Sequence, residues 1–173
     1  IKYLGASGQT GQHAEEEEED VEVDPRAEAR SKVRFIHTGN NIWRTSQGYP
    51  AIKPPWGTLN AINLNTGEYV WRTTFGEYPE LIEQGLEPTG RFSYGGPVVT
   101  AGGILFIGAS LDNYFRAYDM KTGEELWRTE LPAGGYATPS TYMVDGKQYV
   151  IIACGGGRGN PVADVFAAYA LPD

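Results

Sequence analysis

The sequence predicts an all-β chain built from repeated small antiparallel sheets. Two observations carry this. First, residues 97–129, PVVTAGGILFIGASLDNYFRAYDMKTGEELWRT, form short apolar or alternating runs separated by turn residues. No helical period runs through them, and such runs describe a meander. Second, Leu59 to Thr73 aligns without a gap on Phe115 to Thr129. Thr66-Gly67-Glu68 falls on Thr122-Gly123-Glu124, and Trp71-Arg72-Thr73 on Trp127-Arg128-Thr129. A third copy begins at Val165 to Leu171, where Ala168-Tyr169 matches Ala117-Tyr118. Repeats spaced roughly 40–50 residues apart, each one small sheet, are the sequence form of a β-propeller. One four-stranded blade cannot bury both faces alone, so it needs neighbours. The repeats by themselves say part of a propeller or a similar β repeat.

The elements follow in order. Residues 1–32 differ from the rest: Gly5 to Gly11 is small and polar, and Glu15 to Asp20 is an acidic block of the kind that stays solvated. They are expected to be a flexible linker, and 33–173 to be the blades. Val33 to Thr38 alternates and reads as a strand of a partial blade spanning 33–75. Pro50 and Pro54-Pro55 favour an extended path after it. The link Gly76 to Gly90 is unusually long, with one short helix expected at Pro79 to Gln84. The central blade has strands at Pro97 to Thr100, Ile104 to Gly108, Phe115 to Met120 and Glu125 to Leu131. Turns at Ala101-Gly102-Gly103 and Lys121-Thr122-Gly123 separate them, glycine supplying the positive φ. The last blade holds Ser140 to Val144 and Gln148 to Cys154, joined at Asp145-Gly146, a type I′ hairpin signal. Gly155 to Pro161 is a loop, and Val165 to Leu171 a terminal strand.

The pattern A-x-[DN]-x-x-TGE-x-x-W resembles the tryptophan docking repeat of propellers that bind pyrroloquinoline quinone. Residues 54–71, 94–127 and 131–157 are also similar, as long contiguous stretches, to the C-terminal end of quinoprotein glucose dehydrogenases and their relatives. The resemblance covers residues 33 to 173. It implies eight-bladed propellers much longer than this chain. The fold class expected is therefore all-β, a partial β-propeller of about two four-stranded antiparallel blades plus an extra strand. The chain is expected to be a piece of such an enzyme and inactive alone. In some relatives a cytochrome c domain precedes this point, and Ile1 to Gly5 resembles the end of its last helix, although no CxxCH motif is present.

Composition narrows the classes. A net charge of −8 and no basic, aromatic-interleaved patch argue against nucleic acid. No apolar run approaches the length of a membrane helix. The single cysteine, Cys154, lies in an apolar run and reads as a small buried hydrophobe. The glycine run 155–159 lacks the GxxxxGK[ST] order of a phosphate loop. By resemblance, the parent protein binds pyrroloquinoline quinone and Ca²⁺, faces the periplasm, and passes electrons from a sugar or alcohol to cytochrome c or ubiquinone. No cofactor is expected on the piece itself. The competing function is a non-catalytic propeller scaffold using the same repeat; the length of the matches at 94–127 and 131–157 favours the enzyme.

Three residues are candidate contacts. In glucose dehydrogenases a Leu before Gly-Gly touches the quinone, which points to Tyr94 and Gly95 here. An aromatic ring packs on a quinone, and a residue without Cβ lets a flat ligand approach the backbone; the alternative for Tyr94 is a core aromatic at the channel end. Asp112 is a candidate substrate-side acid, or simply a turn residue in LDN. Gly157-Arg158 stands where those dehydrogenases carry a histidine after a glycine pair, which counts against glucose as the substrate. Trp71 and Trp127 are expected to dock one blade on the next. The catalytic base and the Ca²⁺ ligands are expected outside these residues, so no catalytic and no metal-binding residue is assigned. Exposed blade faces are expected to make the piece self-associate.

Overall fold

The computed structural model describes residues 31–33, 39 and 41–172. The expected linker lies almost wholly outside them, as does most of the expected strand at Val33 to Thr38. The chain divides into two units, Ile1–Tyr49 and Pro50–Asp173. In the first, Thr45 N–H donates to the Tyr49 carbonyl at 2.8 Å and closes a turn, with the Arg44 guanidinium on the Gly48 carbonyl.

Among its described residues the second unit carries nine strands and one short helix. β1 (Thr58–Ile62) and β2 (Tyr69–Thr74) pair as a two-stranded sheet. The helix α1 (Pro79–Glu83) follows, started by proline at its first turn, where a missing N–H costs nothing. β3 (Val98–Val99), β4 (Ile104–Ile107), β5 (Tyr114–Asp119) and β6 (Glu125–Glu130) form a four-stranded sheet in sequence order. β7 (Ser140–Val144), β8 (Lys147–Cys154) and β9 (Val165–Ala170) form a three-stranded one. All pairings are antiparallel. The expected meander is therefore present, and the terminal strand is the third member of its sheet, as β5 is of the central one. The β7–β8 hairpin turns at Asp145 and Gly146, with φ of 50° and 78°, the two left-handed positions a type I′ turn requires.

The repeat is reproduced in most of its bonds, with a difference at the threonine: Thr66 N–H donates to the Asn63 backbone oxygen, Thr122 N–H to the Asp119 side-chain oxygen. Ala61 faces Trp71 and Ala117 faces Trp127, and each pairing slips register at the next residue, Ile62 or Tyr118. Asn63 N–H donates to Glu68 O at 2.8 Å, and Asp119 N–H to Glu124 O at 2.9 Å. The side-chain oxygens of Asn63 and Asp119 accept from the N–H two residues on, at 2.9 and 2.8 Å. The Thr66 and Thr122 hydroxyls accept from Glu68 and Glu124 N–H. An Asx side chain mimicking a backbone turn explains why Asn and Asp alternate here.

The sheets pack face to face. Phe115 is fully buried with Leu131, Ala133, Val150, Ile152 and Cys154, and Phe106 packs on the same side, toward β8. Leu105 and Ile107 flank Phe106 on the strand and join Phe75, Ala109 and Tyr118 on the other side, with Leu59 of β1 against them. The two-residue alternation of β4 thus serves two cores at once. Burying Phe115 alone contributes about 2–3 kcal/mol. Between the first two sheets, the Trp71 indole N–H donates to the Met120 carbonyl at 2.9 Å. Its ring lies on Gly123, where an added Cβ would come 2.5 Å from Cε3. Gly123 has φ 75°, so the turn and the indole both exclude a side chain there.

Candidate functional site

Two clusters of polar side chains stand out, both at loops of the central sheet. The first surrounds Tyr94, just before β3. Its N–H donates to the Ala109 carbonyl at 2.9 Å, which ties it to the β4–β5 loop. Its ring is half-exposed and meets Tyr136 edge-on, with centroids 6.1 Å apart. The guanidinium carbon of Arg158 lies over the Tyr94 ring, 3.7 Å from its centroid. Arg158 is exposed and sits in the loop after β8. That loop is fixed on the neighbouring loops. Asn160 Nδ2 donates to the Tyr136 hydroxyl at 2.6 Å and to the Leu111 carbonyl at 3.2 Å. Gly156 N–H donates to Gly134 O, and the Tyr136 hydroxyl reaches Gly157 O at 3.4 Å. Gly95 lies against this group: a Cβ there would sit 2.5 Å from the Tyr136 carbonyl oxygen. The missing side chain at Gly95 thus has a reason within the chain, the close approach of two loops.

The second cluster is an ion network. Asp112 is buried, and its carboxylate accepts four bonds. Arg116 contributes two, at 2.7 and 3.1 Å. Glu77 N–H and Tyr114 N–H contribute the others, at 2.9 and 3.1 Å. Arg116 is 2% exposed and also reaches Glu125 at 3.3 Å. Arg128 pairs with Glu125 at 2.6 Å and Glu77 at 2.9 Å. Burial alone would lower the Arg116 pKa; its bonds to Asp112 outweigh that and hold it above its ordinary value. Burial, with Glu125 beside it, pushes the Tyr118 phenol well above the ordinary range, against the pull of Arg116. A cleft of about 270 Å³ opens here, lined by Thr73, Glu77, Glu87, Arg116, Glu125 and Arg128. Its charges, Glu87 apart, are engaged by one another, so it reads as a groove between packed sheets.

The structure places the neighbours Tyr94 and Gly95 against the loops holding Tyr136 and Arg158, and places Asp112 in the ion network, with its oxygens occupied by the chain. In an alternating strand a polar residue such as Arg116 ordinarily meets solvent. It is instead among the most buried side chains, because the β1–β2 side of the sheet is covered and Asp112 waits there. The pair is local in sequence, Asp112 in the turn before β5 and Arg116 four residues on within the strand. Tyr136 and Asn160 were not singled out; only contacts between loops reveal them. Cys154 is fully buried, and burial raises its thiol pKa, as suits an unreactive packing residue. Among the described residues no group of three or more His, Cys, Asp or Glu converges as a metal site.

Comparison with known proteins decides the family. The family described as "Glucose/ethanol/alcohol dehydrogenase, beta-propeller domain" (PQQ) matches residues 3–150. The chain belongs to this PQQ dehydrogenase β-propeller family. It is 46% identical over 133 residues to "Quinoprotein glucose dehydrogenase" of Escherichia coli (strain K12), covering 73% of this chain and 17% of that protein. It is 40% identical over 139 residues to "Quinate/shikimate dehydrogenase (quinone)" of Acinetobacter baylyi, covering 76% and 17%. Among solved structures it resembles the quinohemoprotein alcohol dehydrogenase from Comamonas testosteroni, at 34% identity, covering 64% of this chain and 14% of that one, with a TM-score of 0.47. The chain thus spans under a fifth of the length of these PQQ relatives. Its sheets, antiparallel and stacked face to face, are the partial propeller that the family implies.

Proposed function

We propose that these residues are part of a quinoprotein dehydrogenase that oxidises a sugar or alcohol. The family match across residues 3–150 carries the reading. The bound quinone would supply a two-electron acceptor for hydride, with Ca²⁺ polarising it. Tyr94 and Gly95 border it in this reading. The donor set fits: a half-exposed aromatic ring, a cation over that ring, and an amide–phenol pair beside them suit a flat, polycarboxylated ligand. Asp112, its oxygens engaged by the chain, positions Arg116 and the loop before β5 in this reading. The parent protein faces the periplasm and delivers electrons to a cytochrome c or ubiquinone.

Trp71 docks the first sheet on the second in this reading, through the Met120 carbonyl. The piece alone is inactive, because the base and the metal ligands come from elsewhere in the parent. It associates through its apolar faces, where Tyr69, Val70, Met143 and Phe166 are each more than half exposed. Reconstitution tests the reading. A longer protein containing residues 1–173, given quinone and Ca²⁺, should reduce an artificial dye with a sugar or alcohol, and the 173-residue chain should not. Failure of the longer protein with every sugar and alcohol would overturn the dehydrogenase assignment. Light scattering of the chain should give a mass above 18.9 kDa.

A further inference from the structure

Arg158 is a cation without an anion. Among the described residues it makes no hydrogen bond and no ion pair, and its one contact of this kind is the Tyr94 ring. Arg72 and Arg91 also lie over rings, those of Tyr69 and Tyr78, with no ion pair among the described residues, so the ring contact alone does not single Arg158 out. Arg116 and Arg128, by comparison, each bind two or more carboxylates. The position is also held. Arg158 has φ 55°, a left-handed conformation that is costly for a residue with a Cβ. The Asn160–Tyr136–Leu111 bonds and the Gly156–Gly134 bond fix the loop on both sides of it. The ring attracts the guanidinium through its π face without using any of the five N–H donors. What results is a pre-oriented fork with all its donors available, and a carboxylate is the group that matches it in two parallel bonds.

We propose that Arg158, held over Tyr94, is a carboxylate-binding residue of the site. The inference rests on the dehydrogenase reading for the source of that carboxylate, which is either the quinone or an alcohol substrate bearing an acid group. One experiment separates the two. In the longer protein containing residues 1–173, R158Q is compared with wild type in two measurements. Calorimetric titration of the apoprotein with pyrroloquinoline quinone in the presence of Ca²⁺ reads the cofactor. The ratio of KM for D-gluconate to KM for the neutral D-glucitol reads the substrate. A charge-assisted bidentate pair predicts a change of roughly tenfold or more in one of them. A weaker quinone titration assigns the carboxylate to the cofactor. A raised gluconate-to-glucitol ratio assigns it to the substrate. Circular dichroism melting checks that R158Q keeps the fold, as expected for an exposed side chain without hydrogen bonds. If the wild type binds quinone and turns over while R158Q matches it in both measurements, the role of Arg158 is overturned and the dehydrogenase reading stands. If the wild type neither binds quinone nor reduces dye, the dehydrogenase reading fails instead.

Discussion

In Leu59–Thr73 and Phe115–Thr129 the same turn closes with closely matching hydrogen bonds, and the register slips at the same residue. Their burial differs completely. From Phe115 to Tyr118 every residue of β5 is buried, whereas in β1 Leu59 and Ala61 are partly covered and Asn60 and Ile62 are exposed. β5 lies inside a four-stranded sheet with a sheet on each face; β1 pairs only with β2 among the described strands. The repeat therefore encodes a turn and a pairing register. Burial is conferred by neighbours, and the residues differ accordingly: Phe115 and Arg116 stand where the other copy has Leu59 and Asn60.

The sharpest way to break this comparison is to truncate both copies. Phe115→Ala should cost about 3–5 kcal/mol, as for a fully buried aromatic, and Leu59→Ala clearly less. Urea denaturation of the two variants reads the difference; equal losses would mean that β1 is as enclosed as β5.

The ion network gives the next effect. Asp112→Ala leaves Arg116 buried and without its closest partner, and should cost about 3–5 kcal/mol. The double variant Asp112→Ala, Arg116→Leu should recover part of that loss in the same denaturation assay. Asn60, the counterpart of Arg116, should tolerate Ala within about 0.5 kcal/mol.

A smaller effect separates the two tryptophans. Trp71→Phe removes a hydrogen bond to Met120 and should cost about 1 kcal/mol beyond lost packing. Trp127 packs on Phe115 and Tyr169, and no hydrogen bond from its indole occurs among the described residues. Trp127→Phe should therefore shift the melting temperature less. A larger shift for Trp127 would mean that its ring packing against Tyr169 of the next sheet outweighs the Trp71 hydrogen bond.

The smallest is a pH effect. Backbone N–H donation from Thr122 and Lys121 holds the exposed Asp119 carboxyl below its ordinary value. Its stabilising contribution is full above the ordinary carboxylate pKa and is lost as the pH falls toward the depressed one. Asp119→Asn should flatten the loss of stability on acidification below about pH 4. Asn63 does not titrate, so Asn63→Asp should add acid sensitivity to the other turn.

The residues alone determined the strands, the turns and the repeat. Those depend on local chemistry: the two-residue alternation, Asp145-Gly146 at a hairpin, and Asx and Thr side chains bonding their own backbone. They also marked Tyr94, Gly95 and Arg158 by position against a family pattern. Tertiary structure alone decided that Arg116 is buried, because only packing brings Glu77, 39 residues away, to its network. It decided too that Arg158 of one loop lies over Tyr94 of another, 64 residues apart. Neither is visible in a local pattern, since an alternating strand looks the same whether its polar face meets water or a carboxylate held by the next sheet.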